Sequence, residues 1–503
     1  MATIDLSRRG FVGAGMGMGM GALAAAGALR ALADEKPAGD VVPSSLGGSA
    51  DAEGEVPMCE FTPGGGSFAE GALPGWDGTP PEIEAVGGST MPLAELNRRR
   101  HAYYDAAEDY VKEDGTVVPA WAVKIRRVVH AYGMGYANTP FDTSFDYIMQ
   151  CFTEDDAKAY ADEMPAGQLF KAIDVAAAGG RTLEEAEAIC EKFADKGFLR
   201  RTVHDDGVMY NHVPWLQGVS EYELHEMLND FDNWVIADSQ AGAFHHLAYN
   251  YGGSPYFYVM PCDKSVVAEG DMLLYDDYEA VAANHNKFSL SPCWCRTLAM
   301  RMEGYDTPDL QSPDWDGVMS PVCGHRMETC LSFGDEAEYW IHMGFGREIT
   351  REEALEYLRR SRDDGFILQH IFAKDMGTVC SCHGDCCGII GEWRALGGAA
   401  DIENARAFKQ ISHYNLVVDT DSCLKCGTCA ERCPLDAITM DEESGLPVVN
   451  DLCFRCGQCA YVCPAGARSL VARPAEENLE VPYTLVDDGN QKAAFRFEHG
   501  MIW

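Results

Sequence analysis

The residues of this chain best equipped for chemistry are its cysteines, 20 in a sequence of 503 residues. Cys423, Cys426, Cys429 and Cys433, followed by Pro434, form a CxxCxxCxxxCP run; Cys453, Cys456, Cys459 and Cys463, followed by Pro464, repeat it 30 residues later. This spacing wraps three thiolates and several backbone N–H groups around one face of an iron–sulfur cubane, while the next cysteine opens a helix leading away. Zinc would ask for two separated CxxC pairs closing one tetrahedron. That reading leaves half of these ligands and both prolines unexplained.

The paired runs resemble the bacterial two-cluster ferredoxins. The resemblance implies that each fourth cysteine crosses over: one 4Fe-4S cluster on Cys423, Cys426, Cys429 and Cys463, a second on Cys453, Cys456, Cys459 and Cys433. Between the runs, Ala437–Met440 and Pro447–Val449 read as short strands joined by the acidic turn Asp441–Gly445.

A second concentration lies upstream, with Cys293, Cys295, Cys323, Cys330, Cys380, Cys382, Cys386 and Cys387 inside one stretch of the chain and only Cys59, Cys151, Cys190 and Cys262 scattered elsewhere. CxC and CC pairs bridge poorly within themselves, because a disulfide needs Cβ atoms facing each other. Metal is the better reading, and eight ligands suit two further cubanes, for up to four clusters in all. Zinc in one of the two positions, or unligated or disulfide-bonded cysteines, are the alternatives. His383 and Asp385 read either as ligands or as hydrogen-bond partners of ligands. No CxxCH marks a covalent haem, and no nicotinamide, flavin or corrinoid fingerprint is present.

The elements that must position these residues are legible in part. Thr182 and Glu185 form a capping box opening a helix closed near Gly197, followed by a hairpin turning at His204–Gly207. Helix followed by hairpin suggests a winged helix, here read as a docking scaffold. Thr350 and Glu353 cap a second helix ending at Gly365, with Phe366–Leu368 beyond it. His245, His246 and His285 show no base–nucleophile spacing and read as structural.

At the other end, Arg8-Arg9 precede a Gly-, Ala- and Met-rich stretch and Ala31-Leu32-Ala33. This resembles a twin-arginine (Tat) export signal, with Val12-Gly13 standing where Leu-Lys is usual. Export to the periplasm or the outer face of the cytoplasmic membrane is expected, with membrane contact only through this signal or a retained N-terminal anchor. Such passengers cross folded, so clusters can be inserted in the reducing cytosol beforehand.

From about Val123 to Pro474 the chain also resembles a family of 4Fe-4S dicluster-type proteins of anaerobes. The resemblance rests on Pro292–Arg296, Glu328–Asp335, Gly346–Ile349 with Glu352–Leu355, and Cys380–Cys387. His383 and Asp385 stand where relatives usually carry cysteines. The family implies a winged-helix-like N-terminal half, a CxC central region and electron transfer.

The expected fold class is α+β multidomain: signal 1–33, Gly/Pro/acidic linker 34–92, winged-helix-like α+β domain 93–290, central Cys-rich domain 291–400, ferredoxin domain 401–475 and tail 476–503. With 39 Lys plus Arg against 79 Asp plus Glu, the net charge of −40 argues against nucleic acid and suits steering toward a basic patch on a redox partner. The expected role is an exported multi-cluster electron-transfer protein, a subunit or partner of an anaerobic oxidoreductase. A terminal reductase wired internally by the clusters, and a structural metal-stabilised interaction module, are the competing readings.

Overall fold

The computed structural model describes residues 89, 91–112, 114–132, 143–222, 253–262, 265–266, 276–303, 305, 315, 317–395, 398, 411–500 and 502. The export signal, Cys59, His245 and His246 lie outside the described residues, as does nearly all of the linker. No described helix is long and apolar enough to cross a membrane.

The first part is built on helices α1 (Leu93–Asp105), α2 (Ala120–His130), α3 (Thr143–Cys151), α4 (Glu154–Lys158), α5 (Ala172–Gly179) and α6 (Leu183–Ala194), with a short hairpin of β1 (Tyr110–Val111) and β2 (Val117–Val118). The expected capping box opens α6: Thr182 Oγ1 accepts from Glu185 N, and the Glu185 carboxylate accepts from Thr182 N at 2.8 Å. Ala186, Cys190, Phe193 and Ala194 form its buried face, as a 3.6-residue period requires. Strands β3 (Leu199–His204) and β4 (Gly207–His212) follow as the expected hairpin.

The centre is a six-stranded, wholly antiparallel sheet in the order β5-β9-β10-β7-β6-β8. Its strands are β5 (Phe257–Val259), β6 (Phe288–Pro292), β7 (Glu328–Phe333), β8 (Arg347–Ile349), β9 (Ile367–Ile371) and β10 (Thr378–Cys382). The expected boundary at residue 290 falls inside this sheet, because β5 and most of β6 pair with strands far downstream. Such pairing is set by complementary strands across the fold and leaves no local break in composition.

Alternation along the strands sorts the sheet's two faces. Leu290, Leu331, Val379 and Leu368 fall on one face, packed with α7 (Tyr278–Ala283) and α10 (Arg351–Asp363) in a single apolar core. Cys330, Cys380 and Cys382 point the other way. That second face is closed by α11 (Gly388–Ala395) and by Leu435, Ala437 and Phe454 of the C-terminal region. The remaining central helices are α8 (Trp294–Met302) and α9 (Gly334–His342).

The C-terminal region pairs β11 (Tyr414–Val418) with β14 (Arg468–Ala472), and β12 (Ile438–Met440) with β13 (Pro447–Val449). Two one-turn helices, α12 (Thr428–Glu431) and α13 (Gln458–Tyr461), occupy matching places after the second cysteine of each run. The residues expected to be a tail instead form α14 (Leu485–Glu498), which packs back on α1. Its buried face carries Asp488, Lys492 and Arg496 among Ala493, Ala494 and Phe495; Lys492 pairs with Asp488, and Arg496 donates to the His130 carbonyl at 3.0 Å. Asn490 ties Gly167 and Arg100 into the same layer.

Candidate metal centres

The two C-terminal runs fold alike in backbone. Lys425 and Arg455, each just before a second cysteine, have φ of 56° and 57°, and Gly427 and Gly457, each just after it, have φ of 81° and 82°. A left-handed non-glycine residue costs about 1–2 kcal/mol, so its recurrence at equivalent places marks a conformation demanded by what the loop encloses. Backbone N–H groups point at sulfur in two places: within this turn Lys425 N lies 3.4 Å from Cys423 Sγ, and after the fourth cysteine Ala437 N lies 3.3 Å from Cys433 Sγ.

Cys423, Cys426, Cys429 and Cys463 line one cavity, so the fourth wall of the first site comes from the second run. Cys433, Cys453, Cys456 and Cys459 are mutual electrostatic neighbours, and burial pushes all four thiols up, Cys459 to about 12. Buried thiols that resist ionisation in isolation suit a cation cluster, which supplies the compensating charge. Arg468 adds a fixed positive charge 3.9 Å from Cys459 Sγ. Cys262, scattered in the sequence, sits against this second site, its N–H donating to the Cys456 carbonyl at 2.9 Å.

Surroundings separate the two sites. Cys426 is exposed, whereas the second site shares an apolar core with Cys382 and Cys387 of the central region.

The eight central cysteines were expected to suit two cubanes; in the structure six thiols form one connected chain, and Cys386, which borders the same cavity, pairs with Cys323. Cys293, Cys295, Cys387, Cys382, Cys380 and Cys330 form a chain of thiols in contact, each hydrogen-bonded to the next. Cys330 and Cys380 are cross-strand partners of β7 and β10. Cys293 caps α8 and Cys295 lies in its first turn, while Cys382 ends β10 and Cys387 precedes α11. Together with Cys386 they line a cavity of about 760 Å³, mouth included, with Gln369 and the buried Glu221 on its walls.

Arg296 is the fixed cation here, buried and donating to the Arg326 and Ser381 carbonyls at 2.8 and 3.1 Å. Its Nε lies 3.4 Å from Cys386 Sγ. A hydrogen bond from Cys295, helped by Arg296, lowers the Cys293 thiol below its ordinary value at the expense of Cys295.

Cys323 pairs with Cys386 at the edge of this cavity, beside His325 and Asp385. His383 is present too, its Nδ1 2.9 Å from Asp385 Oδ1. His325 carried no signal of its own in the sequence. The Cys-Gly-His triplet at 323–325 was the available cue, and its partners lie 60 residues away.

Residues 416–469 match the 4Fe-4S dicluster domain family. No curated protein and no solved structure matches the chain. The cysteine-rich C-terminal region is therefore a 4Fe-4S dicluster domain holding 4Fe-4S clusters, and it supports an iron–sulfur electron-transfer role.

Proposed function

We propose that the chain is an exported electron-transfer protein in which the dicluster domain connects a partner docked outside to the six-cysteine cavity within, as a subunit or partner of an anaerobic oxidoreductase. The observation that carries this reading is the asymmetry of the two C-terminal sites: one meets solvent at Cys426, the other shares a core with Cys382 and Cys387. When bound, iron–sulfur clusters take up and release single electrons, and the chain supplies thiolates, N–H donors to sulfur and the fixed charges Arg296 and Arg468.

The exposed Leu424 beside the outer site, in a chain of net charge −40, suits transient contact with a basic partner. The helix pair α5–α6 with the β3–β4 hairpin supports a winged-helix-like docking scaffold. The paired arginines Arg8 and Arg9 support export; Arg8→Lys with Arg9→Lys should hold precursor inside the cell.

The central test is stoichiometric reduction of the anaerobically purified chain followed by EPR and by timed reoxidation with candidate partner proteins and with small acceptors. Cys426→Ser should disturb one dicluster signal and Cys456→Ser the other, with electron delivery to proteins lost in each. Persistence of full electron delivery in both variants would overturn the wire.

Terminal reduction of a small substrate is the second reading. It is favoured by Glu221, whose carboxyl, raised by burial to about 7, lies on the wall of the six-cysteine cavity where a proton would be needed. Catalytic turnover by the isolated chain, lost in Glu221→Gln, would select it.

A further inference from the structure

Cys323, His325, Asp385 and Cys386 differ from the six-cysteine set in how they meet. In the larger set the thiols hydrogen-bond one to the next along a chain, all of one donor kind. In this one, four donor atoms of three kinds all lie within 4.8 Å of one another. A tetrahedral ion with bonds of about 2.3 Å to sulfur and about 2.0 Å to nitrogen or oxygen holds its donors roughly 3.3–3.8 Å apart. His325 Nε2 and Asp385 Oδ2 stand 3.0 Å apart already. We propose that these four side chains hold a single zinc ion, at the edge of the six-thiol cavity that Cys386 also lines.

The local backbone is built to present them. Met319 and Arg326 bridge across a tight turn in which Ser320 N donates to the His325 carbonyl at 2.7 Å and Gly324 N to the Ser320 carbonyl at 2.8 Å. Gly324, with φ of 70°, lets Cys323 and His325 leave the same side of that turn. Asp385 and Cys386 come from the loop after β10, where Cys386 N and Cys387 N both donate to the His383 carbonyl.

The surroundings complete the site in the way metal ligands require. His383 Nδ1 lies 2.9 Å from the second carboxylate oxygen of Asp385, and its ring packs tilted against the His325 ring with centroids 4.6 Å apart, crowding both ligands into place. Phe366 packs edge-on against His325 at 5.2 Å. Two thiolates, one carboxylate and a neutral imidazole carry three negative charges, so a divalent ion leaves one. Arg296, 3.4 Å from Cys386 Sγ, supplies the balancing cation.

The ion's role would be structural, since all four positions come from protein. It would pin the 320–326 turn to the loop whose Gly384 N donates to the Pro434 carbonyl at 3.1 Å, beside the dicluster ligand Cys433. A Cβ at Gly384 would collide with that carbonyl, so the loop sits directly on the dicluster domain.

The experiment uses the full chain, purified anaerobically with its clusters in place, and measures zinc and iron together. About one zinc per chain is expected alongside the iron, and His325→Gln and Asp385→Asn should each lower zinc at least fivefold with iron and the EPR of the dicluster unchanged. Zinc-edge X-ray absorption of the unaltered protein should give two sulfurs at about 2.3 Å and two lighter atoms at about 2.0 Å, which keeps the test independent of how the variants fold. A chain with full iron and no zinc overturns the proposal, as does a zinc shell without sulfur. Loss of iron in place of zinc from the variants would hand Cys323 and Cys386 to a cluster. Failure of the electron-transfer reading would appear instead as iron that cannot be reduced, whatever the zinc content.

Discussion

Leu424 and Phe454 occupy the same place in the two cysteine runs, one residue after the opening cysteine, yet Leu424 is 66% exposed and Phe454 1%. Around them the pattern repeats. Gln458 of the second run is buried, its amide donating to the Arg362 and Phe366 carbonyls at 3.0 and 2.8 Å, whereas the equivalent helix of the first run begins at Thr428, whose hydroxyl lies 3.4 Å from the exposed Cys426. Two copies of one motif, alike in backbone, have diverged through what surrounds them. The inner copy is part of the protein's core, and the outer copy is part of its surface.

The largest expected separation between them follows from those two side chains. Phe454→Ala should cost about 3–5 kcal/mol of stability, the range for emptying a well-packed aromatic site, while Leu424→Ala should cost under about 0.5 kcal/mol. Denaturant unfolding of the cluster-loaded chain measures both. Leu424→Ala should instead slow electron exchange with a protein partner, and equal stability losses in the two variants would end the distinction between core and surface copies.

The paired glycines sharpen it further. At Gly427 an added Cβ meets nothing within 4 Å, so Gly427→Ala should cost only the left-handed strain of about 1–2 kcal/mol. At Gly457 the same Cβ runs into the Ser265 side chain and comes within 2.9 Å of Leu470 Cδ1. Gly457→Ala should therefore lose roughly 1–3 kcal/mol more, from overpacking. Adding Ser265→Gly should recover part of that excess and nothing at Gly427; the double-mutant cycle reads this directly.

The smallest effect concerns the turn after each fourth cysteine, where Asp436 and Gly466 have φ of 53° and 62°. Asp436→Gly should relieve about 1 kcal/mol of strain and forgo an exposed ion pair with Arg394 contributing about 0–1 kcal/mol, leaving stability equal or slightly higher. A clear loss would mean that Asp436, on the face turned toward α11, holds the two regions together more firmly than its exposure implies.

What could be read in advance was what short-range spacing encodes. Thr182 with Glu185, Thr350 with Glu353, and the two cysteine runs each place their partners within a few residues, so their geometry is local. The grouping of the central cysteines was illegible because it depends on strand register, with Cys330 opposite Cys380, and on a loop contact between His325 and Asp385. Helix α14 passed for a tail for a different reason. Its buried residues mix Asp488, Lys492 and Arg496 with Ala493, Ala494 and Phe495, so charges interrupt the apolar periodicity that a sequence search looks for.

That helix also sets an order of events in time. Arg100 and Asn490 are 390 residues apart in sequence, and His130 and Arg496 are 366 apart. At about 5–20 residues per second, synthesis separates such partners by roughly 20 to 80 s. Throughout that interval the first helices lack their final layer, and the buried His130 and Arg100 lack their distant partners. Closure of the first helical part thus waits on α14, which is made after all the cysteines of the two C-terminal runs and of the central region.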